Sequence, residues 1–129
     1  MRNHQLSLVV LTLCLSAPNA FGYGSGGGGG SSCSEPQFSS ESPKNETRVA
    51  TLSRFSFEAS RNTDLKTLTI EVDGLKQEPK VSTLLSGDSK LDVEFTEPKS
   101  IAAKVRITVR AKSDEGCEAF QPYYIEVKP

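Results

Sequence analysis

The stretch that decides the fold is Lys104-Val-Arg-Ile-Thr-Val-Arg-Ala-Lys112, in which apolar and polar residues strictly alternate. Side chains along a β-strand point to opposite faces in turn, so this segment has one apolar face and one basic face. The basic face consists of Lys104, Arg106, Arg110 and Lys112. The segment is rich in β-branched residues and free of Gly and Pro, as expected of a central strand. One strand cannot bury its own apolar face, so the rest of the chain must supply a second sheet.

Similar alternation recurs along the chain between turn signals such as Asp73-Gly74. The other alternating segments are 51–60, 65–73, 90–96 and 122–128. A weaker stretch, 75–85, is interrupted by Pro79, and the proline-containing piece 36–43 suits a sheet edge. About seven short strands with turns at intervals of roughly 8–12 residues predict an all-β fold. We expect an immunoglobulin-like antiparallel β-sandwich with Greek-key connections.

The predicted core takes one face of each alternating segment. Its members are Phe55, Phe57, Leu68, Ile70, Val72, Leu91, Val93, Phe95, Val105, Ile107, Val109, Tyr123, Ile125 and Val127. In an immunoglobulin-like sheet, the strand of residues 104–112 would lie between the strand of Leu68 and the last strand.

The first 22 residues have the pattern of a secretory signal peptide. A short polar start with one positive charge precedes the apolar run 6–15, and small residues follow. Cleavage is predicted after Ala20 or after Gly22. The apolar run is too short for a stable membrane span, and an uncleaved membrane anchor is the alternative. We therefore predict a secreted or periplasmic protein.

Residues 23–32 form a Gly- and Ser-rich segment with no means of packing, which predicts a flexible tail or spacer. Residues 33–129 remain for the sandwich domain, and about a hundred residues can bury enough apolar surface to fold alone. The formal net charge is −1, which lacks the basic excess that nucleic-acid binding needs.

The composition restricts the chemistry of the exported chain. The only His is His4 and the only Met is Met1, so cleavage leaves no imidazole and no thioether. Nucleophilic triads that need His are thereby excluded, as is a catalytic zinc site of the usual composition. We predict no catalytic residue, no metal ligand and no cofactor.

Two cysteines, Cys33 and Cys117, remain after cleavage. In an exported chain they predict one disulfide, which would join the N-terminal edge to the loop before the last strand. The chain-entropy model gives roughly 4–5 kcal/mol as an upper figure for its stabilisation. A pair of thiol ligands or redox thiols is the alternative, although His and the Cys-x-x-Cys motif are both lacking.

Three polar motifs have both a structural and a functional interpretation. Asp92 and Glu94 lie about 7 Å apart on one strand face, a distance that suits a glycosidase pair but is common on exposed strands. Asp114-Glu115-Gly116 with Glu118 is predicted to be a solvated turn, with a weak calcium loop as the alternative. Asn45-Glu46-Thr47 fits the N-glycosylation triplet, which matters only in a host that glycosylates.

The basic face also has two interpretations. It forms an ion-pair ladder with Glu71, Asp73 and Glu126 of the neighbouring strands, or it is a flat site for an anionic glycan or an acidic partner. We favour the ladder, because the net charge is near zero and a steering patch normally shows a local charge excess.

The chain resembles bacterial immunoglobulin-like domains. The resemblance rests on residues 54–60, 68–74, 91–95, 105–116 and 123–127. Two antibody-type hallmarks are missing, since there is no Trp and Cys33 precedes the first main strand. The layout is also similar to small periplasmic copper-resistance carriers, which implies His and Met ligands that this chain does not retain after cleavage. That second resemblance supports the fold and weighs against copper.

These observations favour an exported, non-catalytic immunoglobulin-like module for binding, adhesion or assembly at the cell envelope. Its partner would be a protein or glycan of the envelope. The alternative function is a periplasmic metal carrier or an accessory protein of a redox enzyme.

Overall fold

The computed structural model describes residues 33–129, so the predicted signal peptide and the Gly/Ser-rich segment lie outside the described residues. The described chain is all-β. Its strands are β1 (Phe38–Ser42), β2 (Thr47–Val49), β3 (Leu52–Ala59), β4 (Thr63–Val72), β5 (Leu75–Gln77), β6 (Lys80–Thr83), β7 (Ser89–Lys99), β8 (Ala103–Ser113) and β9 (Glu118–Val127). From residue 33 onward, no helix has the length and apolar character needed to cross a membrane.

The strands form two sheets, with the orders β1-β3-β7-β6 and β2-β9-β8-β4-β5. This is the immunoglobulin arrangement, in which consecutive pairs of strands alternate between the two sheets. The predicted sandwich class is therefore confirmed, and β8 lies between β4 and β9 as expected. The sheets are not purely antiparallel, because β2 pairs with β9 in parallel through Thr47–Ile125, Arg48–Glu126 and Val49–Val127.

The structure has more strands than the predicted seven because short segments also pair. Residues 75–85 divide at Pro79 into β5 and β6, which belong to different sheets. A proline has no N–H to donate to a sheet and fixes its own backbone angle, so it suits the point where the chain leaves one sheet for the other. β2 has only three residues, which is too short for an alternating pattern to be recognised.

The core lies between the two sheets and follows the predicted alternation. Phe55 and Phe57 of β3 are fully buried, and Tyr123 of β9 lies against both rings. The ring centroid of Phe55 is 5.1 Å from that of Tyr123, so this contact joins the two sheets. The buried set also includes Leu52, Ala59 and Ala111.

Leu68 is the member of the predicted core that is only partly buried. Asp64 of β4 pairs with Lys112 of β8, and the next pair is Thr69 with Arg110. The register shifts between these two pairs, because β4 has more residues there than β8. The extra β4 residues bulge out of the ladder, which changes the direction of their side chains. Thr67 supports the bulge, since its Oγ1 accepts a hydrogen bond from the Lys112 amide at 2.8 Å.

We predict that Phe57→Ala destabilises the domain by about 3–5 kcal/mol, because it leaves a cavity at the centre of the aromatic cluster. Phe120→Ala is the matched control, since Phe120 is 49% exposed, and should cost less than about 1 kcal/mol. Denaturant unfolding of both variants measures the difference. Equal losses would contradict the assigned core.

A second prediction concerns alkaline pH. Burial, with a smaller effect from the negative charge of Glu41, raises the pKa of Tyr123 to about 12, against about 10 in an unfolded chain. The unfolded state therefore loses the phenol proton first. The contribution of Tyr123 is fully present below pH 10 and decreases as the pH rises towards 12, by up to about 3 kcal/mol.

Denaturant unfolding at several values between pH 8 and 12 tests this dependence, with Tyr123→Phe as the control. The variant should lose less stability than the parent over the same range. Parallel pH profiles would show that the phenol does not carry the effect.

Candidate functional site

The basic face lies on the outer side of the five-stranded sheet. Along β8, Val105, Ile107 and Val109 are buried, whereas Arg106 and Arg110 are exposed. Because β8 is paired on both sides, its backbone has little freedom and the direction of each side chain is fixed. The sequence therefore predicted the orientation of the basic face correctly.

The predicted ion-pair ladder is wrong. Among residues 33–129, no ion pair within 4.0 Å involves any cation of the basic face. Glu126 is the register partner of Lys104, but its carboxylate instead binds Arg48 of β2, with Nε and Oε2 2.8 Å apart. Asp73 contacts the backbone of Arg106, whose amide donates to Asp73 Oδ1 at 3.0 Å.

Aromatic rings of β9 take the place of the missing carboxylates. The Arg110 guanidinium lies 5.1 Å from the ring centroid of Phe120, its register partner. The Lys104 ammonium lies 5.2 Å from the ring centroid of Tyr124. Such contacts hold a cation in place without neutralising its charge. Sequence reasoning missed Phe120, although pairing the two strands across the turn 113–116 would have placed it opposite Arg110.

The outer face contains a depression that we call the sheet hollow. Its volume is about 320 Å³, and its lining includes Thr69, Glu71, Arg106, Thr108, Arg110 and Phe120. The structure thus brings together two of the four predicted cations, while Lys104 and Lys112 lie outside the lining. The volume is at the lower end of the range for small-ligand sites.

A second candidate site lies at the turn between β8 and β9. Cys33 and Cys117 form a disulfide, with Cα atoms 5.9 Å apart and a sequence separation of 84. Glu115 of the same turn has a carboxylate oxygen within 4.8 Å of both sulfur atoms. Within the described chain, this is the one group of three His, Cys, Asp or Glu side chains whose ligand atoms all lie within 4.8 Å of one another, and two of those atoms are joined in the disulfide.

The turn itself is organised by backbone hydrogen bonds. The Ser113 amide donates to the Cys117 carbonyl, and the Cys117 amide donates to Ser113 Oγ at 3.1 Å. Gly116 has a φ of 88°, a left-handed conformation that favours glycine. Asp114 and Glu115 are exposed, so the predicted solvated turn describes this segment. Asp114 and Glu118 are not part of the cluster in which Glu115 lies close to Cys33 and Cys117.

The other two polar motifs have structural partners. Arg54 Nε lies 3.2 Å from Asp92 Oδ1. The Asp92 carboxylate of the predicted Asp92–Glu94 pair therefore forms an ion pair with an arginine of the neighbouring strand β3. Asn45 is partly buried, and its side-chain oxygen accepts a hydrogen bond from the Tyr124 amide at 2.8 Å. Asn45 thereby fastens the segment before β2 to β9.

Comparison with solved structures identifies proteins of similar fold. PcoC, a methionine-rich copper resistance protein from Escherichia coli, gives a TM-score of 0.54 at 20% identity and covers 74% of this chain and 100% of that chain. CopC from Methylosinus trichosporium OB3b gives a TM-score of 0.55 at 14% identity. That alignment covers 73% of this chain and 94% of CopC. No protein-family model and no curated protein sequence matches the chain. The likeness therefore establishes a shared sandwich fold.

The donor set of this chain differs from a methionine-rich one. Met1 and His4 are its only Met and His, so residues 33–129 contain no thioether or imidazole donor. The soft donors that the structure brings together are the sulfur atoms of Cys33 and Cys117. A disulfide sulfur is not a thiolate, and the thiolate is the form that binds metals. The disulfide form is thus unsuited to a soft metal, whereas the two thiolates of the reduced form are suited to one.

We predict that reducing the Cys33–Cys117 disulfide lowers stability by up to about 4–5 kcal/mol, because the unfolded chain is no longer cross-linked. The third cysteine of the sequence, Cys14, is replaced by Ser so that Cys33 and Cys117 are the only cysteines present. Denaturant unfolding with and without a dithiol measures the change, and Cys33→Ser/Cys117→Ser is the control that should not respond to the reductant. A reductant effect of equal size in the control would exclude the disulfide as its cause.

Proposed function

We propose that this chain is an exported, non-catalytic metal carrier built on the same sandwich as the copper resistance proteins. The observation that carries the proposal is the cluster of Cys33, Glu115 and Cys117 at the β8–β9 turn. Thiolate ligands select soft ions such as Cu(I) and also bind zinc. The fold is shared with PcoC, which is a copper resistance protein, and with CopC. This likeness supports a metal carrier over an adhesion role.

Only the reduced form, with Cys33 and Cys117 as free thiols, carries the metal ion. A small dithiol reduces the Cys33–Cys117 disulfide to two thiols and is itself oxidised to a disulfide, so electrons and protons balance. Cys33 is exposed and Cys117 is half-buried, so the sulfur atoms lie where a reductant can approach. Loss of a proton from each thiol then provides the thiolates, and binding is expected to weaken at lower pH. Oxidation back to the disulfide removes the ligands.

A non-catalytic role is supported by the arrangement of the polar side chains. The sequence places no His after residue 4, and the Asp92 carboxylate is paired with Arg54. General acid–base catalysis by two carboxylates needs both groups directed at one substrate. A carrier needs only ligands and an accessible surface.

The second candidate function is a binding or assembly module at the cell envelope, and the sheet hollow favours it. Arg106 and Arg110 have no carboxylate within 4.0 Å among the described residues, and they line a depression of the outer face together with Glu71. This function needs neither the cysteines nor a reductant. The two candidates therefore respond to different substitutions.

Metal titration of the reduced and oxidised forms tests the carrier. The protein is expressed from its full sequence with Cys14→Ser, reduced with a dithiol, freed of reductant without oxygen, and titrated with Cu(I) against a chromophoric chelator. We expect one ion bound per chain by the reduced form and none by the oxidised form. Far-UV circular dichroism verifies that the reduced domain is folded.

Matched variants assign the ligands. Cys33→Ser/Cys117→Ser should abolish Cu(I) binding. Glu115→Gln should weaken it only slightly, because a carboxylate is a hard group beside a soft ion, and Glu118→Gln in the same hairpin should leave it unchanged. Stoichiometric binding by the double serine variant would place the ligands elsewhere. Absence of binding by the folded, reduced protein would refute the carrier and leave the envelope-binding function.

A further inference from the structure

We propose that the sheet hollow binds one acidic sugar residue, a ligand with a single carboxylate and several hydroxyl groups. This inference is independent of the metal carrier, because the hollow lies on the sheet face and shares no lining residue with the cysteine cluster. Its volume of about 320 Å³ suits a ligand of monosaccharide size.

The base of the hollow is formed by three outward positions of β8. Arg106, Thr108 and Arg110 are successive residues on one face of the strand, so neighbouring Cα atoms are about 7 Å apart. Arg106 and Arg110 therefore lie on either side of Thr108 along the strand. A carboxylate accepts paired hydrogen bonds from a guanidinium, and the threonine hydroxyl both donates and accepts hydrogen bonds.

The charge of the hollow is available to a ligand. Neither Arg106 nor Arg110 has a carboxylate within 4.0 Å among the described residues. Arg110 is supported by the Phe120 ring, with 5.1 Å between the guanidinium carbon and the ring centroid. This contact restricts the side chain while leaving its N–H groups free for an acceptor.

The remaining lining distinguishes a sugar from other anions. Thr69 and Glu71 of β4 line the same hollow, beside their β8 register partners Arg110 and Thr108. A carboxylate beside the site accepts hydrogen bonds from ligand hydroxyls and repels a ligand of high negative charge density such as phosphate. The exposed part of Phe120 offers an apolar surface to the C–H groups of a sugar ring.

An extended acidic peptide fits this surface less well. Peptides that add to a sheet need an edge with unpaired N–H and C=O groups. β8 is hydrogen-bonded to β9 and to β4, so the floor of the hollow offers only side chains. Recognition must therefore occur through the arginines, the hydroxyls and the ring, which favours a compact ligand.

Titration followed by ¹H–¹⁵N NMR tests this site. The protein expressed from its full sequence is titrated with galacturonate, with galactose as the neutral analogue and with inorganic phosphate and oligoglutamate as other anions. We expect galacturonate to shift the amides of residues 106–110 and Phe120, with a much weaker response to galactose, phosphate and oligoglutamate.

Substitutions then assign the contacts. Arg106→Gln/Arg110→Gln should reduce the affinity for galacturonate at least about tenfold, because both charge-assisted hydrogen bonds are lost. Lys112→Gln removes a cation of the same face outside the hollow and should change the affinity less than about twofold. Arg106→Lys/Arg110→Lys keeps the charge but not the planar fork, and an intermediate loss is expected.

Three results would overturn the inference. One is the absence of any galacturonate shift in the hollow. Another is an equal response to phosphate or oligoglutamate, which would indicate non-specific attraction or a different class of partner. The third is an equal loss of affinity in Lys112→Gln. Dispersed NMR spectra of each variant establish that it is folded.

Discussion

The two-sided pairing of β8 is the constraint on which the rest of the structure depends. β8 is hydrogen-bonded to β9 and to β4, so each of its side chains has one of two directions. Val105, Ile107 and Val109 take the inward direction and are almost completely buried. They require an opposing sheet, and β3 and β7 provide it. A slip of one residue would exchange the buried and exposed sets, so the hydrophobic interior fixes the register.

The same constraint positions both candidate sites. Arg106 and Arg110 point outward because their neighbours point inward, which places them on a rigid floor instead of a loop. At the end of β8 the chain must reverse into β9, and this turn carries Glu115 and Cys117 towards Cys33. The arginines thus lie in the middle of the central strand, and the disulfide lies at the turn that follows it. The fold resembles that of the copper resistance protein PcoC, and residues 33–129 contain no Met and no His.

Sequence alternation was sufficient for the long strands because their inward faces are apolar at every second position. It was insufficient where pairing involves few residues or an irregular ladder. The bulge in β4 removes Leu68 from the centre of the core, and no period reveals a bulge. The three-residue β2 brings Arg48 to Glu126, which takes the predicted partner away from Lys104. Without β2, the ladder was the reasonable expectation. Arg106 and Arg110 likewise have no carboxylate within 4.0 Å among residues 33–129, although Glu71 lines the same hollow.

Amide hydrogen exchange measured residue by residue tests the central position of β8 most directly. Residues 107–110 have register partners on both β4 and β9, and their strand lies against the core, so their hydrogen-bonded amides should exchange only through global unfolding. Amides of the exposed edge strand β6 should exchange at least about a hundredfold faster. If the β8 amides exchanged as fast as those of β6, β8 would not be the fixed centre of its sheet. The placement of both candidate sites would then be without support.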